Sequence, residues 1–575
     1  MADKTSSVDL VLDALGGTGR YQMFQYFVCM FSALSASFQL LNIVFVGRDV
    51  AHTCKAPVNT SDIYLITDNE LIQANDSKIS FEKCNIRVEA NISGNISTSK
   101  LSCIYGYEYM EGKDTSLMSD MDIVCDKEHL QGFAQTLLIT GQGIGAFVLP
   151  TFSDRYGRRP LHFVSHLCFL GFGVGVAFAP TYTVFLVLRV VLGFLQQGIV
   201  LTNITITIEI FPSRHRKLSG LLTSMIWTVC NAFIALIAYL MQTYSWRTTQ
   251  LVYCSVSLYV FVEFFLLDES LSWLITNNKT KQVTKNLKKA ARMSGKDCHT
   301  VLNVYKKIQK QHESEKSLTE SLLGSKDQGV NGKTETVKEK DKTKPSFLDL
   351  MKRKRLAANV FVLWFVWITD SLTVFGLFMT SYSLVGSPHV NFVLYSLLEA
   401  PAAIALYFTV DRYGRKKTSV ALHGIAGVAL LAATVCKFVG EGSLWSPIAV
   451  TVFSFIGMFG ASGAWGTACL FTPEMFPTNL RNFGLGTSSA FSRVGGMLAP
   501  FSSLLAEYVE WAPGTIFGVC CLLATVLVNV LPETMGRELP QTVDDVEAWH
   551  KKTDDKEAKE MDTFPMARPK GPMEC

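Results

Sequence analysis

The sequence predicts an all-α membrane protein: twelve transmembrane helices in two pseudo-symmetric six-helix bundles, with a large extracellular loop after the first helix. Composition, the spacing of apolar runs and a half-to-half repeat carry this prediction. Hydrophobic residues make up 49% of the 575 and charged residues only 18%, where a soluble chain carries about 25% charged residues. The apolar residues gather into runs of about 20, enough to cross a hydrocarbon core roughly 30 Å thick. About twelve such runs lie near 22–46, 131–151, 161–179, 182–210, 218–241, 247–267, 356–378, 390–410, 419–438, 447–471, 483–505 and 513–532.

The repeat follows from three echoes. "DRYGRR" at 154–159, after the second run, returns as "DRYGRK" at 411–416, after the eighth. "EIFPSRHR" at 209–216 returns as "EMFPTNLR" at 474–481, and "DES" at 268–270 is echoed by "PET" at 532–534. Each falls at the equivalent end of its half, and internal repeats of this kind build secondary transporters, whose two bundles rock about a site near the midplane.

Charge orients the chain. Arg155, Arg158, Arg159, Arg214, Arg216, Lys217, Arg412, Arg415, Lys416 and Lys417 fall on one side if the runs alternate, and the Lys- and Arg-rich side is cytoplasmic. Residues 1–21 lack a signal's order of basic, apolar and small-residue regions, so the N-terminus is expected in the cytosol. The first bundle then spans 22–267, the second 356–532, and 533–575 is a charged cytosolic tail. Segment 268–355 is a cytosolic linker, partly disordered, because "KDQGVNGKTETVKEKDKTKP" has almost nothing to bury. Its "GVNGKT" is too short for GxxxxGK[ST]. Every basic cluster abuts a membrane run, which argues against nucleic-acid binding.

The loop at 47–130 holds Cys54, Cys84, Cys103 and Cys125 and sequons at Asn59, Asn75, Asn91 and Asn95, chemistry of the outside face. Two disulfides are expected, and four cysteines allow three pairings. Sequons at Asn203, inside a run, and Asn278, in the cytosolic segment, are expected to be unused. No metal or cofactor is indicated: the other cysteines lack CxxC or His-partnered spacing, and no HExxH, GxSxG or histidine cluster is read from the sequence.

These motifs resemble the major facilitator superfamily over nearly the whole chain. "GGTGRYQ" before the first helix, the glycan-rich loop, "SWRTTQL", "WITDSL", "EAP" and "LPETMGRELPQT" are similar to its organic-ion branch, solute carrier family 22. The chain departs from that branch in having Asp268-Glu269-Ser270-Leu271-Ser272-Trp273-Leu274 where P-E-S-x-R-W-L is usual, and four loop cysteines where six are common.

Arg493 lies twelve residues beyond Arg481, about 18 Å at 1.5 Å per residue, and so deep in the membrane. A charge there costs at least ~2.5–3.5 kcal/mol on insertion scales, so it needs a wet cavity or a counter-charge. Its donor fork suits a substrate carboxylate, and the competing reading is a structural pair with Asp370 or Glu399. Gly495, Gly496 and Pro500 would let its helix bend. Under the resemblance, Arg493 matches anion and carnitine-type relatives and Asp370 matches cation carriers. The two suit a zwitterion, and equally an ion pair broken by substrate.

Gln196, Gln197, Asn203 and Asn42 are candidates for hydrogen bonds to substrate or between helices. Trp227, Trp364, Trp367, Phe375 and Trp465 could offer aromatic faces. Glu263, near the end of its run, is expected to snorkel to the cytosolic surface. Asp154, Arg155, Arg158 and Arg159, their copies Asp411, Arg412, Arg415 and Lys416, and the pairs Glu209/Arg216 and Glu474/Arg481 are gating candidates.

The function expected is secondary transport of small organic anions or zwitterions, carnitine-like molecules included, at the plasma membrane. An organic cation carrier is the alternative, and a receptor without transport is the alternative from another class; an enzyme is not expected. The partners expected are the substrate, membrane lipid and a coupling ion or exchanged anion, with a monomer as the functional unit.

Overall fold

A computed structural model describes residues 7–56, 77–92, 95–212, 215–309, 353–440, 442–477 and 480–537, with residues 351, 540, 545, 546 and 549 besides. The "GVNGKT" stretch, Asn59 and Asn75 lie outside these residues.

The long helices are α1 (Arg20–Val46), α2 (Gln131–Tyr156), α3 (Arg158–Ala177), α4 (Tyr182–Ile210), α5 (Arg216–Leu240) and α6 (Trp246–Leu266) in the first half. The second half holds α7 (Lys354–Met379), α8 (Pro388–Tyr413), α9 (Arg415–Val439), α10 (Trp445–Glu474), α11 (Arg481–Leu498, resuming at Phe501–Tyr508) and α12 (Ala512–Val528). Ten of them are long and apolar enough to cross a membrane by themselves; α12, with 17 residues, and the interrupted α11 complete the twelve. The break in α11 falls at Ala499 and Pro500, as the proline predicts.

The chain divides into two compact units. Unit 1 comprises residues 1–329, 375–400 and 496–513; unit 2 comprises 330–374, 401–495 and 514–575. In unit 1 the outer ends of α7, α8 and α11 pack with the first half of the chain. Phe45 stands 5.0 Å, ring to ring, from Phe392, Phe133 stands 5.7 Å from Phe501, and the Thr136 hydroxyl donates to the Met497 carbonyl at 2.8 Å. Unit 2 is built on an apolar core from α7, α10 and α12 that includes Leu363, Trp367, Phe471 and Ala524.

Among its described residues the long loop carries five strands: β1 (His52–Cys54), β2 (Ser77–Phe81), β3 (Asn85–Ile92), β4 (Asn95–Ser102) and β5 (Tyr107–Tyr109). β1 pairs antiparallel with β5, and β2, β3 and β4 form an antiparallel sheet in that order. Of the three possible pairings the disulfides are Cys54–Cys103 and Cys84–Cys125, closing a small core around Ile86 and Val88. Asn91 and Asn95 fall beside the β3–β4 turn, where Ile92 is paired with Asn95. The "SWRTTQL" motif anchors this loop: Trp246 Nε1 and Arg247 both donate to Asp120 at 2.9 Å.

At the opposite face the expected linker is more ordered than its charge suggested. Residues 271–309 are largely helical and share a core with the short N-terminal helix Ser7–Ala14, through Val11, Leu12, Leu15, Leu274, Val283 and Leu287. Val283, Leu287, Ala290 and Ala291 recur at helical spacing and are fully buried, a stripe that the surrounding lysines obscured.

Candidate functional site

Each half carries the same charge cluster. Arg158 reaches Asp154 at 2.9 Å and Glu209 at 3.3 Å, and Glu209 also takes the Ser270 hydroxyl. In unit 2 Arg415 reaches Asp411 at 3.2 Å and Glu474 at 3.1 Å, and Glu474 takes the Thr534 hydroxyl. The third echo supplies a cap. Glu269 accepts from the backbone N–H of Arg158 at 3.0 Å and of Arg159 at 3.3 Å, and Glu533 does the same for Arg415 at 3.0 Å and Lys416 at 3.1 Å. A carboxylate thus sits on the positive end of α3 and of α9. Burial holds the Glu269 carboxyl above its usual range, against the pull of these amides.

This geometry revises the expected pairs. Glu474 engages Arg415 rather than Arg481, whose Nε donates to the Pro473 carbonyl at 2.9 Å. Glu209 engages Arg158, and the Arg216 side chain lies outside the described residues. Arg155 and Arg412 lie over their neighbours Tyr156 and Tyr413, each at 5.5 Å. Arg159 and Lys416 reach the carbonyls of Phe264 and Asn529, at 2.5 Å and 2.6 Å.

Seven of the expected substrate residues divide between the units. Asp370, Trp367 and Arg493 belong to unit 2; Gln196, Trp227, Phe375 and Glu399 belong to unit 1. In unit 2, α7 and α11 touch at Gly495, where a Cβ would collide with the Ile368 carbonyl oxygen. This crossing brings Asp370 and Arg493 within a turn of the same point, and beside it Trp364 stacks on Phe491 at 4.1 Å. Asp370, 2% exposed, is not the counter-charge of Arg493: it stands 3.0 Å from His423 Nε2 on α9, whose Nδ1 lies 2.9 Å from the Ser419 carbonyl. Trp367 is core, its Nε1 bonded to Thr472 at 2.9 Å. In unit 1, Glu399 neighbours the buried amide of Asn231 on α5.

Gln196 is helix–helix glue rather than a substrate contact. Its amide donates to the Ala36 carbonyl at 2.7 Å and accepts from Gln142 at 2.9 Å, tying α4 to α1 and α2. Asn203 bonds Ser32 at 3.0 Å, and Asn42 bonds Gln250 at 2.7 Å, both inside unit 1.

Three features escaped sequence reasoning. Glu263 does not snorkel: it is 2% exposed and bound by His162 and His166, each at 2.8 Å, so a histidine cluster does exist. Its signal was the i, i+4 spacing of two histidines on one helix face. Arg189, inside α4, is buried among neutral acceptors: the carbonyls of Ala134 and Gln39 and the side chains of Asn42 and Gln135, at 3.0–3.3 Å. Finally, a cavity of about 470 Å³ lies in unit 1 at the long-loop end, between Phe45, Arg48, Glu111, Trp246, Tyr382 and His389, and none of the seven expected residues lines it.

Twelve spans built from a repeated half, with a matching charge cluster in each half, define a multi-pass membrane transporter. The "Sugar (and other) transporter" family profile matches residues 95–544, and the chain belongs to that family. The relatives support the solute carrier family 22 resemblance. Solute carrier family 22 member 3 of Mus musculus is 29% identical over 566 residues, covering 94% of this chain and 95% of its own. The organic cation transporter protein of Drosophila melanogaster is 27% identical over 549 residues, 95% of each chain. Organic anion transporter 3 of Pongo abelii is 27% identical over 545 residues, 94% of this chain and 93% of its own. A solved major facilitator superfamily proton:xylose symporter shares the fold, with a TM-score of 0.53 at 14% identity over 92% of this chain and 99% of that one. These are transporters and not enzymes.

Proposed function

We propose that the chain carries small organic anions or zwitterions, carnitine-like molecules included, across the plasma membrane by alternating access, with both termini in the cytosol. Relatives named for cations and for anions leave the substrate charge open, so the reading rests on the placement of the charges. Asp370 stands against His423 within its own unit, and the guanidinium of Arg493, deep in α11, has the fork of donors that suits a carboxylate. Phe375, Trp227 and Glu399 are the substrate contacts proposed within unit 1. The charge clusters at the ends of the halves would brace each bundle and gate the cytosolic side, while glycans at Asn59, Asn75, Asn91 and Asn95 would mark the outside. A coupling ion or exchanged anion and a monomeric working unit belong to the same reading.

Uptake of a carboxylate, a zwitterion and a quaternary amine into expressing cells, with and without sodium, tests it. Arg493→Asp is expected to lower carboxylate and zwitterion uptake at least about tenfold at equal surface expression, the loss of about 1.4 kcal/mol of binding. Wild-type carboxylate uptake in that variant would end the clamp reading. If the quaternary amine were the transported probe and Asp370→Asn abolished its uptake, the cation-carrier alternative would replace it.

A further inference from the structure

We propose that His162, His166 and Glu263 form a proton-binding site inside unit 1, with His162 holding the exchangeable proton. The three side chains come from α3 and α6, and both imidazoles are fully buried. His162 Nε2 lies 2.8 Å from one Glu263 oxygen and His166 Nδ1 2.8 Å from the other. Each ring must present an N–H to its oxygen when the carboxylate is charged, which fixes one proton on each ring.

The remaining nitrogens differ. His166 Nε2 is buried with no hydrogen-bond partner among the described residues, so a second proton there would strand a charged donor. His162 Nδ1 lies 2.6 Å from the Thr202 hydroxyl, which is also 2.6 Å from the Gly198 carbonyl and 3.0 Å from that of Ile199. That hydroxyl has one proton and two kinds of acceptor. Donated to His162 Nδ1, it leaves the ring neutral and the triad at net minus one. Donated to a backbone carbonyl, it leaves an acceptor facing His162 Nδ1, which then carries its own proton; the ring becomes an imidazolium and the triad is net zero. Rotation of one hydroxyl therefore accommodates the gain or loss of a proton without moving a helix.

The groups facing the triad from neighbouring elements do not compete for this proton. Cys29 of α1 donates to Asn203 Oδ1 at 3.0 Å, and Tyr259 of α6 donates to the Val28 carbonyl at 3.0 Å; both are neutral near pH 7. Arg159 of α3 is engaged on the Phe264 carbonyl. The repeat isolates the special member. The spacing that carries Asp154 to Asp411 carries His166 to His423, which also meets a buried acid, Asp370, and carries His162 to Ser419. A histidine–acid contact is thus common to both halves, and the second imidazole, with its hydroxyl, belongs to the first alone.

Buried ionisable groups in membrane helices mark ion and proton pathways. Under the transport reading proposed above, turnover would then respond to pH through His162. The experiment uses the purified full chain in lipid nanodiscs. Imidazole and carboxylate infrared bands are followed from roughly pH 5 to 8, the range where histidine exchanges its proton. The expected result is a one-proton titration in the wild type and in His166→Gln, absent in His162→Gln, and shifted down by about one pH unit, tenfold weaker binding, in Thr202→Val. Uptake of carnitine as probe is expected to vary with pH in the wild type and to be flat in His162→Gln. An unchanged titration in His162→Gln would overturn the site, as would zinc binding that abolishes the wild-type titration at stoichiometric metal. A titration that follows the expected pattern while no probe is taken up supports the site and removes the transport reading alone.

Discussion

At the residue scale, burial decides which charges need company. Asp370, Glu263 and Arg189 are each at most 2% exposed, and each is met by groups of the right polarity: one histidine, two histidines, and a set of neutral acceptors. Removing one partner of such a contact leaves the other stranded, at a cost of about 3–5 kcal/mol. His423→Ala should therefore lower the thermal unfolding midpoint of the purified protein by several degrees. Restoring neutrality with Asp370→Asn in the same chain should recover part of the loss, since the amide costs less to bury than a charge. Equal midpoints for His423→Ala and the wild type would show that the contact contributes nothing to stability.

At the scale of elements, glycines decide how closely helices begin and cross. Gly157 and Gly414, at φ +109° and +96°, turn the chain into α3 and α9, and a Cβ at either would strike the capping carboxylate of Glu269 or Glu533. Alanine at either position should destabilise by roughly 1 kcal/mol or more, through the positive φ and the displaced cap. Gly495→Ala should be worse tolerated, because the atom it strikes is backbone of α7. Gly486, also in α11, meets nothing within 4 Å, and alanine there should stabilise by about 0.5–1 kcal/mol, the usual gain for an open helical site. Yields and unfolding midpoints of these four variants in detergent give the ranking directly; a destabilised Gly486→Ala beside a normal Gly495→Ala would reverse it.

For the whole molecule, the composition of unit 1 is the informative fact. The ends of α8 and α11 at the long-loop side pack with α1, α2 and α5, through Phe45 on Phe392, Tyr239 on His389 and Thr136 on Met497. A carrier that alternates must break these contacts once per cycle. In a chain whose unpaired cysteines have been replaced, Phe45→Cys with Phe392→Cys should cross-link under a short bifunctional maleimide and abolish uptake of whichever probe the wild type carries. Undiminished uptake in fully cross-linked protein would mean that this end does not open during transport.

The long runs, the repeat and the disulfide-rich loop were all legible in the sequence, because each is local: an apolar window, a recurring string, a cysteine count. The break in α11 was legible for the same reason, since proline carries its own backbone constraint. Partners were not legible. Glu263 looked like a snorkelling residue until α3 brought two histidines to it from about a hundred positions away, and Asp370 looked like a mate for Arg493 until α9 supplied His423. Helix packing fixes which side chains of distant segments share a buried volume, and within that volume every charge must find its donor or acceptor. The sequence alone determined that Asp370 and Arg493 would lie deep in their helices; the tertiary structure decided that Glu263 and Arg189 are buried as well, and what each buried charge meets.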